Sequence, residues 1–140
     1  IILLRALQAN PADSEMRLLL AELYQDNQNH EEAVFHLRKV LELEAENIEA
    51  KIKLGNYYLQ AGLVAGDHLY DEALKLGDEI LEQDPGNTDA LILQANANAG
   101  LQNLDEAISI MNRVLEADPD NLAALLNQGT FHIRQDKPVE

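Results

Sequence analysis

The residues able to do chemistry are few and badly spaced for it. Four histidines occur, His30, His36, His68 and His132. No two stand at the i, i+3 or i+4 spacing that puts two imidazoles on one helix face, so a metal site is not expected. Carboxylate pairs such as Glu31–Glu32 and Asp71–Glu72 resemble an acid/base pair only in name. They fall where helices begin, and negative charge there complements the helix dipole instead of converging in a cleft. Ser14, Ser109, Thr88 and Thr130 lack a nucleophile-elbow frame, and Ser14 and Thr88 read as helix caps. The seven glycines are scattered and form no phosphate cradle. There is no cysteine, hence no thiolate, disulfide or zinc knuckle. The expectation is a non-enzyme with no cofactor and no metal.

Charge and composition narrow the partners. A formal net charge of -15, from 25 acidic and 10 basic residues, repels phosphate backbones and anionic membrane surfaces. Nucleic acid is not an expected partner. The apolar run Ile1 to Leu4 is far too short to span a bilayer, so no direct membrane insertion is expected. Hydrophobic residues are 46% and aromatics 4% of the 140 residues. Small and branched aliphatic side chains must therefore fill the core, and closely spaced helices suit them. Without cysteine, either a bacterial cell envelope or a cytoplasm would suit the chain, and localisation stays open.

The elements that hold these residues are repeated. Leu7, Leu41, Leu81 and Leu115 sit in similar frames at separations of 34, 40 and 34. Pro11, Ala45, Pro85 and Pro119 follow in step, and then Asp13, Asn47, Asn87 and Asn121. Glu32–Ala33, Glu72–Ala73 and Glu106–Ala107 mark a second register, with Val40, Ile80 and Val114 seven residues beyond each Ala. Ala21, Gly55, Ala95 and Gly129 put a tiny side chain mid-helix, where two backbones must approach. Each unit reads as helix A, a short turn, helix B and a Pro or Asn break. Neither helix can bury its apolar face without a stacked neighbour.

The 34-residue period, the small residue at the eighth position, Tyr24 and Tyr58 at the eleventh, Ala at the twentieth and Pro at the thirty-second resemble the tetratricopeptide repeat family, in the style of a bacterial multi-repeat protein. That resemblance implies an all-α fold, a right-handed α-solenoid of antiparallel helix pairs. About three full repeats are expected, with partial repeats at both ends. Residues 1–13 end a preceding helix B. Repeats follow at 14–47, at 48–87 with a six-residue insertion at 63–68, and at 88–121; residues 122–140 supply a lone helix A and a tail. The insertion is expected as a longer turn or an extra half-turn of helix that bulges from one rim. Departures from the family pattern are Arg17, Lys51, Leu91 and Leu125 in place of the fourth-position Trp, and Asn98 and His132 in place of the eleventh-position Tyr. They predict aromatic packing diluted toward the C-terminal end, with His132 in a structural role. The cut units read as a fragment, whose uncapped last helix, with Leu125 exposed, would allow self-association into a homo-oligomer.

The resemblance also implies a concave groove lined by helix A. Its fifth-position column is Leu18, Ile52, Ile92 and Leu126, an aliphatic stripe that core packing would not require. The ninth column is Glu22, Asn56, Asn96 and Thr130, whose amides at Asn56 and Asn96 offer a donor and an acceptor to a peptide backbone. Leu59 and Ile133 add apolar surface from the twelfth column. The expected function is a protein-protein interaction module that holds an extended peptide or partner segment; the alternative is a structural scaffold segment within a longer array. Acidic residues including Glu15, Glu22, Asp26 and Glu49 favour an apolar ligand with basic flanks. The lysine clamp of chaperone-binding members is missing, since Leu18, Ile52 and Glu49 occupy the matching columns and only Asn56 and Asn127 remain.

Overall fold

Residues 2–136 are described by the computed structural model, and all regular structure among them is helical. The helices are α1 (Ile2–Ala9), α2 (Ser14–Asp26), α3 (His30–Leu43), α4 (Ile48–Ala65), α5 (His68–Gln83), α6 (Thr88–Gly100), α7 (Leu104–Ala117) and α8 (Leu122–Gln135). The first residue of the expected leading helix and the tail at 137–140 lie outside the described residues. The chain forms two compact units, unit 1 through Tyr57 and unit 2 from Tyr58.

The Pro and Asn columns act together as one device. Asn10–Asp13, Glu44–Asn47, Asp84–Asn87 and Asp118–Asn121 are four-residue turns, each closed by the last N–H donating to the first carbonyl at 3.0–3.2 Å. Pro at the second position, as in Pro11, Pro85 and Pro119, pre-sets the backbone for such a turn. The turn's last residue then caps the next helix: Asp13, Asn47, Asn87 and Asn121 accept the N–H of Met16, Ala50, Ala90 and Ala124 at 2.8–3.0 Å. The three Asn side chains also donate to the carboxylate at the turn's start, Glu44, Asp84 or Asp118. The caps therefore lie one residue before Ser14 and Thr88, which are the first helical residues and not the expected caps.

Within a helix pair, α2 and α6 end alike. Asn29 donates to Tyr24 O and Gln28 to Gln25 O; Asn103 donates to Asn98 O and Gln102 to Ala99 O. This paired pattern leaves the penultimate turn residue in the left-handed region, with φ of 58° at Gln28 and 66° at Gln102. Glycine ordinarily fills that place, so two glutamines hold it at some cost.

The extended repeat departs from this scheme. Helix α4 has 18 residues against 13 in α2 and α6, and α5 has 16 against 14 in α3 and α7. The extra residues thus lengthen both helices, and the connection shrinks to Gly66 and Asp67, with Gly66 at φ 110°. His30 and His68 are each the first residue of a helix.

In unit 1, α2 packs on α3 and α1 on α2. Leu20 and Ala21 meet a helix whose Ala33, Leu37 and Val40 are fully buried. In unit 2, α5, α6, α7 and α8 pack each on the next, and α8 also touches α6. Its core joins Leu91, Ala95 and Ala99 of α6 to Ile110, Met111 and Val114 of α7 and to Ala124 and Phe131 of α8. Ala21, Gly55 and Ala95 of the small-residue column are buried as their spacing requires. Gly129 differs, because a Cβ there would meet nothing within 4 Å, no described element covering that face of α8.

Candidate functional site

Unit 2 carries a cleft of about 360 Å³. Its first wall is the lengthened second half of α4, with Leu59, Gln60 and Leu63. Asn96, Ala99 and Gly100 come from the end of α6, and Asn127, Thr130 and Arg134 from α8, while Tyr70 and Phe131 supply aromatic surface. Helical spacing explains the grouping: 96 and 99–100, and 127, 130–131 and 134, recur every three or four residues on one face. Thr130 donates to Leu126 O at 2.9 Å.

Tyr70 is fitted into the fold by two glycines. A Cβ on Gly62 would lie 2.7 Å from its ring, and one on Gly100 2.5 Å from it. Real Cβ atoms do not come so close, so both positions require glycine while the buried Tyr70 ring stays where it is. Arg134 donates from Nη2 to Ala99 O at 2.7 Å and also approaches Gln102 Oε1 at 3.5 Å. It thereby satisfies a carbonyl in the last turn of α6, where positive charge is favoured. No lining residue of this cleft is acidic.

The corresponding face of unit 1 is different in charge. Lys53 Nζ lies 2.9 Å from Glu22 Oε1 and 3.7 Å from Glu49 Oε1, so one ammonium faces two carboxylates. Leu18 and Ile52 are half-buried and Asn56 is exposed. Two of the polar residues standing in the expected Trp column reach back to the preceding turn: Arg17 donates to Pro11 O and Lys51 pairs with Glu46 at 3.4 Å.

Of the predicted groove residues, the structure brings Leu59, Asn96 and Thr130 together in the unit 2 cleft. Ile92 packs against the α6–α8 core, so that member of the stripe does serve core packing. Leu126 and Ile133 are exposed on α8 outside the cleft lining. Sequence reasoning missed Tyr70, Gly100, Phe131 and Arg134. The signal for the last two was the i, i+4 step from Asn127 and Thr130 along α8.

Aromatic packing thins toward the C-terminal end, as expected: the ring contacts join Tyr24, His30, Phe35, His36 and Tyr57, and beyond Tyr70 the sequence holds one further aromatic, the buried Phe131. Asn98, in the Tyr column, turns its amide onto Gln94 O at 3.0 Å. His132, expected to pack as a ring, is exposed. The buried histidine is His36 in unit 1, stacked on Tyr24 with ring centroids 5.6 Å apart. Burial, reinforced by the nearby Arg17 charge, lowers its pKa below the usual imidazole value. Among the described residues no group of three His, Cys, Asp or Glu side chains could hold a metal ion, and no helix is long and apolar enough to cross a membrane.

Two family models, both described as tetratricopeptide repeat, match residues 14–47 and 65–129. The first match begins at α2 and takes in all of α3; the second contains α5, α6 and α7. The chain belongs to the tetratricopeptide repeat family. Solved structures agree on the fold. A tetratricopeptide repeat protein from Parabacteroides merdae superposes with a TM-score of 0.85 at 21% identity, over 95% of this chain and 50% of that one. YrrB, described as a tetratricopeptide repeat protein with an unusual peptide-binding site, gives 0.75 at 23% identity, over 95% of this chain and 62% of its own. The first such domain of Spaghetti, solved with the HSP90 peptide SRMEEVD, gives 0.73 at 20%, over 89% and 97%. No curated protein matches the sequence significantly. The tetratricopeptide chain is therefore an all-α helical-repeat solenoid of a family that serves protein-protein interaction.

Proposed function

We propose that this tetratricopeptide chain binds an extended peptide or partner segment, and that it works by binding and not by catalysis. The observation that carries the reading is the unit 2 cleft, where Leu59, Asn96 and Thr130 stand beside Asn127 and aromatic surface. Amides of Asn96 and Asn127 can each donate to and accept from a ligand backbone, and the apolar walls can cover its side chains. The peptide-bound relative and the one named for its peptide site support the reading by analogy of fold. Outside the cleft, the net charge of -15 favours basic residues on the ligand. Affinity in the micromolar range, about -8 kcal/mol, is expected, since ordering an extended ligand offsets much of the contact energy. The test is binding of an array of capped 12-residue peptides to the wild type and to Asn96→Ala/Asn127→Ala. Loss of the bound set with an unchanged thermal melt supports the reading; an unchanged set of bound peptides defeats it.

A second reading, a scaffold segment that associates with other repeats, follows from α8. Leu122, Leu125, Leu126 and Ile133 on that helix are exposed. Sedimentation velocity of the wild type against Leu125→Glu tests it: a concentration-dependent dimer lost in the variant favours association, and a monomer throughout excludes it.

A further inference from the structure

We infer that the six-residue extension of α4 and α5 builds, within the proposed peptide site, a subsite for a large apolar side chain followed by an Asp or Glu side chain of the partner. This rests on the peptide-binding reading and adds the ligand's chemistry. Three observations carry it.

The extension supplies the subsite's own wall. Leu63 belongs to the part of α4 that α2 and α6 lack, and it lines the cleft while remaining 80% exposed. An aliphatic side chain left in water beside a cleft that Phe131 also lines is apolar surface available for a ligand to cover. Tyr70, carried by the lengthened α5, also lines the cleft, where Gly62 and Gly100 give its ring room.

Charge then selects the neighbour. Acidic residues outnumber basic ones by 25 to 10 across the chain, yet none lines this cleft, and its one formally charged lining residue is Arg134. Arg134 uses Nη2 on Ala99 O and Gln102 Oε1, and no carboxylate pairs with it among the described residues. Among the described residues no acceptor takes its Nε or Nη1 donors, and the backbone bond orients the guanidinium, so a ligand carboxylate meets a pre-oriented fork. A lysine at the same place on the ligand would face Arg134 with like charge and no acid to offset it. A volume of about 360 Å³ is at the small end of ligand clefts and suits one or two side chains.

The probes are three sets of N-acetylated, C-amidated 12-residue peptides that share a Leu-Phe core and carry Glu, Ser or Lys beside it, followed by fluorescence anisotropy. Capping both ends makes any preference for Glu a property of the side chain. The Glu set is expected to bind about tenfold tighter than the Ser set, with the Lys set weakest. Arg134→Gln should remove that preference, and Arg134→Glu should reverse it toward Lys. Because Arg134 also ties down α6, Leu63→Ser provides a second variant at an exposed position. It should weaken all three sets a few-fold while keeping their order, with the melting temperature unchanged. Equal binding of the three sets, or a preference for Lys, overturns this inference while leaving peptide binding standing. No binding by any set, together with a blank array, overturns both.

Discussion

Units 1 and 2 are built from the same kind of repeat, but they fill the space beside helix B with different aromatics. In unit 1 the eleventh-position Tyr24 is present and stacks on His36 of α3, the planes only 9° apart. In α6 of unit 2 the equivalent of Tyr24 is Asn98, and the ring comes instead from Tyr70 at the start of α5, against Gly62 and Gly100. One solution buries a titratable ring that has no hydrogen-bond partner for Nδ1 among the described residues. The other buries a ring whose place is held open by two missing Cβ atoms. Stability in unit 1 should therefore answer to pH, and stability in unit 2 to volume.

The sharpest way to break the contrast is Tyr70→Ala. Removing a nearly fully buried ring should cost about 3–5 kcal/mol, read as a lower urea midpoint, because the helices on either side cannot close the gap. Gly100→Ala tests the same fit from the other side. Its new Cβ would press on a ring that cannot swing into solvent, and about 1–3 kcal/mol of destabilisation is expected. Combining Gly100→Ala with Tyr70→Leu should be milder than the sum of the two, a coupling that a double-mutant cycle measures.

The helix ends extend the comparison. Gly66 closes the lengthened α4 at φ 110°, where an L side chain is strained, so Gly66→Ala should cost on the order of 1–3 kcal/mol in the same urea titration. Gln102, at φ 66°, is the converse: Gln102→Gly relieves a left-handed side chain and should raise stability by about 0.5–1 kcal/mol, seen as a higher melting temperature. Gln28→Gly should do the same in unit 1. If neither glycine helps, the paired hydrogen bonds of these turns are not governed by backbone strain.

The smallest effect expected is in unit 1 and depends on pH. His36 has a folded pKa below its unfolded value of 6.5. Below about pH 6.5 the unfolded chain binds the proton more readily, so stability present at neutral pH declines as pH falls toward the depressed value. Arg17 opposes protonation from α2, while Glu32 on α3 favours it and limits the shift. A second decline belongs to Glu44, whose carboxyl the Asn47 amide holds below the usual carboxylate range, and it comes at lower pH. In His36→Phe the first step should vanish from a melting-temperature series across about pH 3–8 while the second remains.

Much of this was readable from the chain. The columns at Leu41, Ala33 and Val40 fixed helix B, and the Pro and Asn columns fixed where each pair ends, since turn and capping chemistry act over four residues. Gln28–Asn29 and Gln102–Asn103 recur at the same place in two repeats, so even the helix closure was legible in retrospect. Leu59, Asn96 and Thr130 were found as site residues because helical spacing alone sets which side chains share a face.

What the sequence left open depends on contacts between residues distant in the chain. Nothing near Asn98 in sequence says that Tyr70 will replace the missing ring, because that choice depends on where the longer α4 and α5 place it. Nothing local to Arg134 says that it will cap α6 at Ala99, 35 residues back, and leave the cleft one cation and no acid. Local chemistry set the repeat, its period and its turns. Only tertiary packing decided which aromatic is buried, which stripe residue joins the core, and what charge the cleft presents, because each is a property of several helices at once.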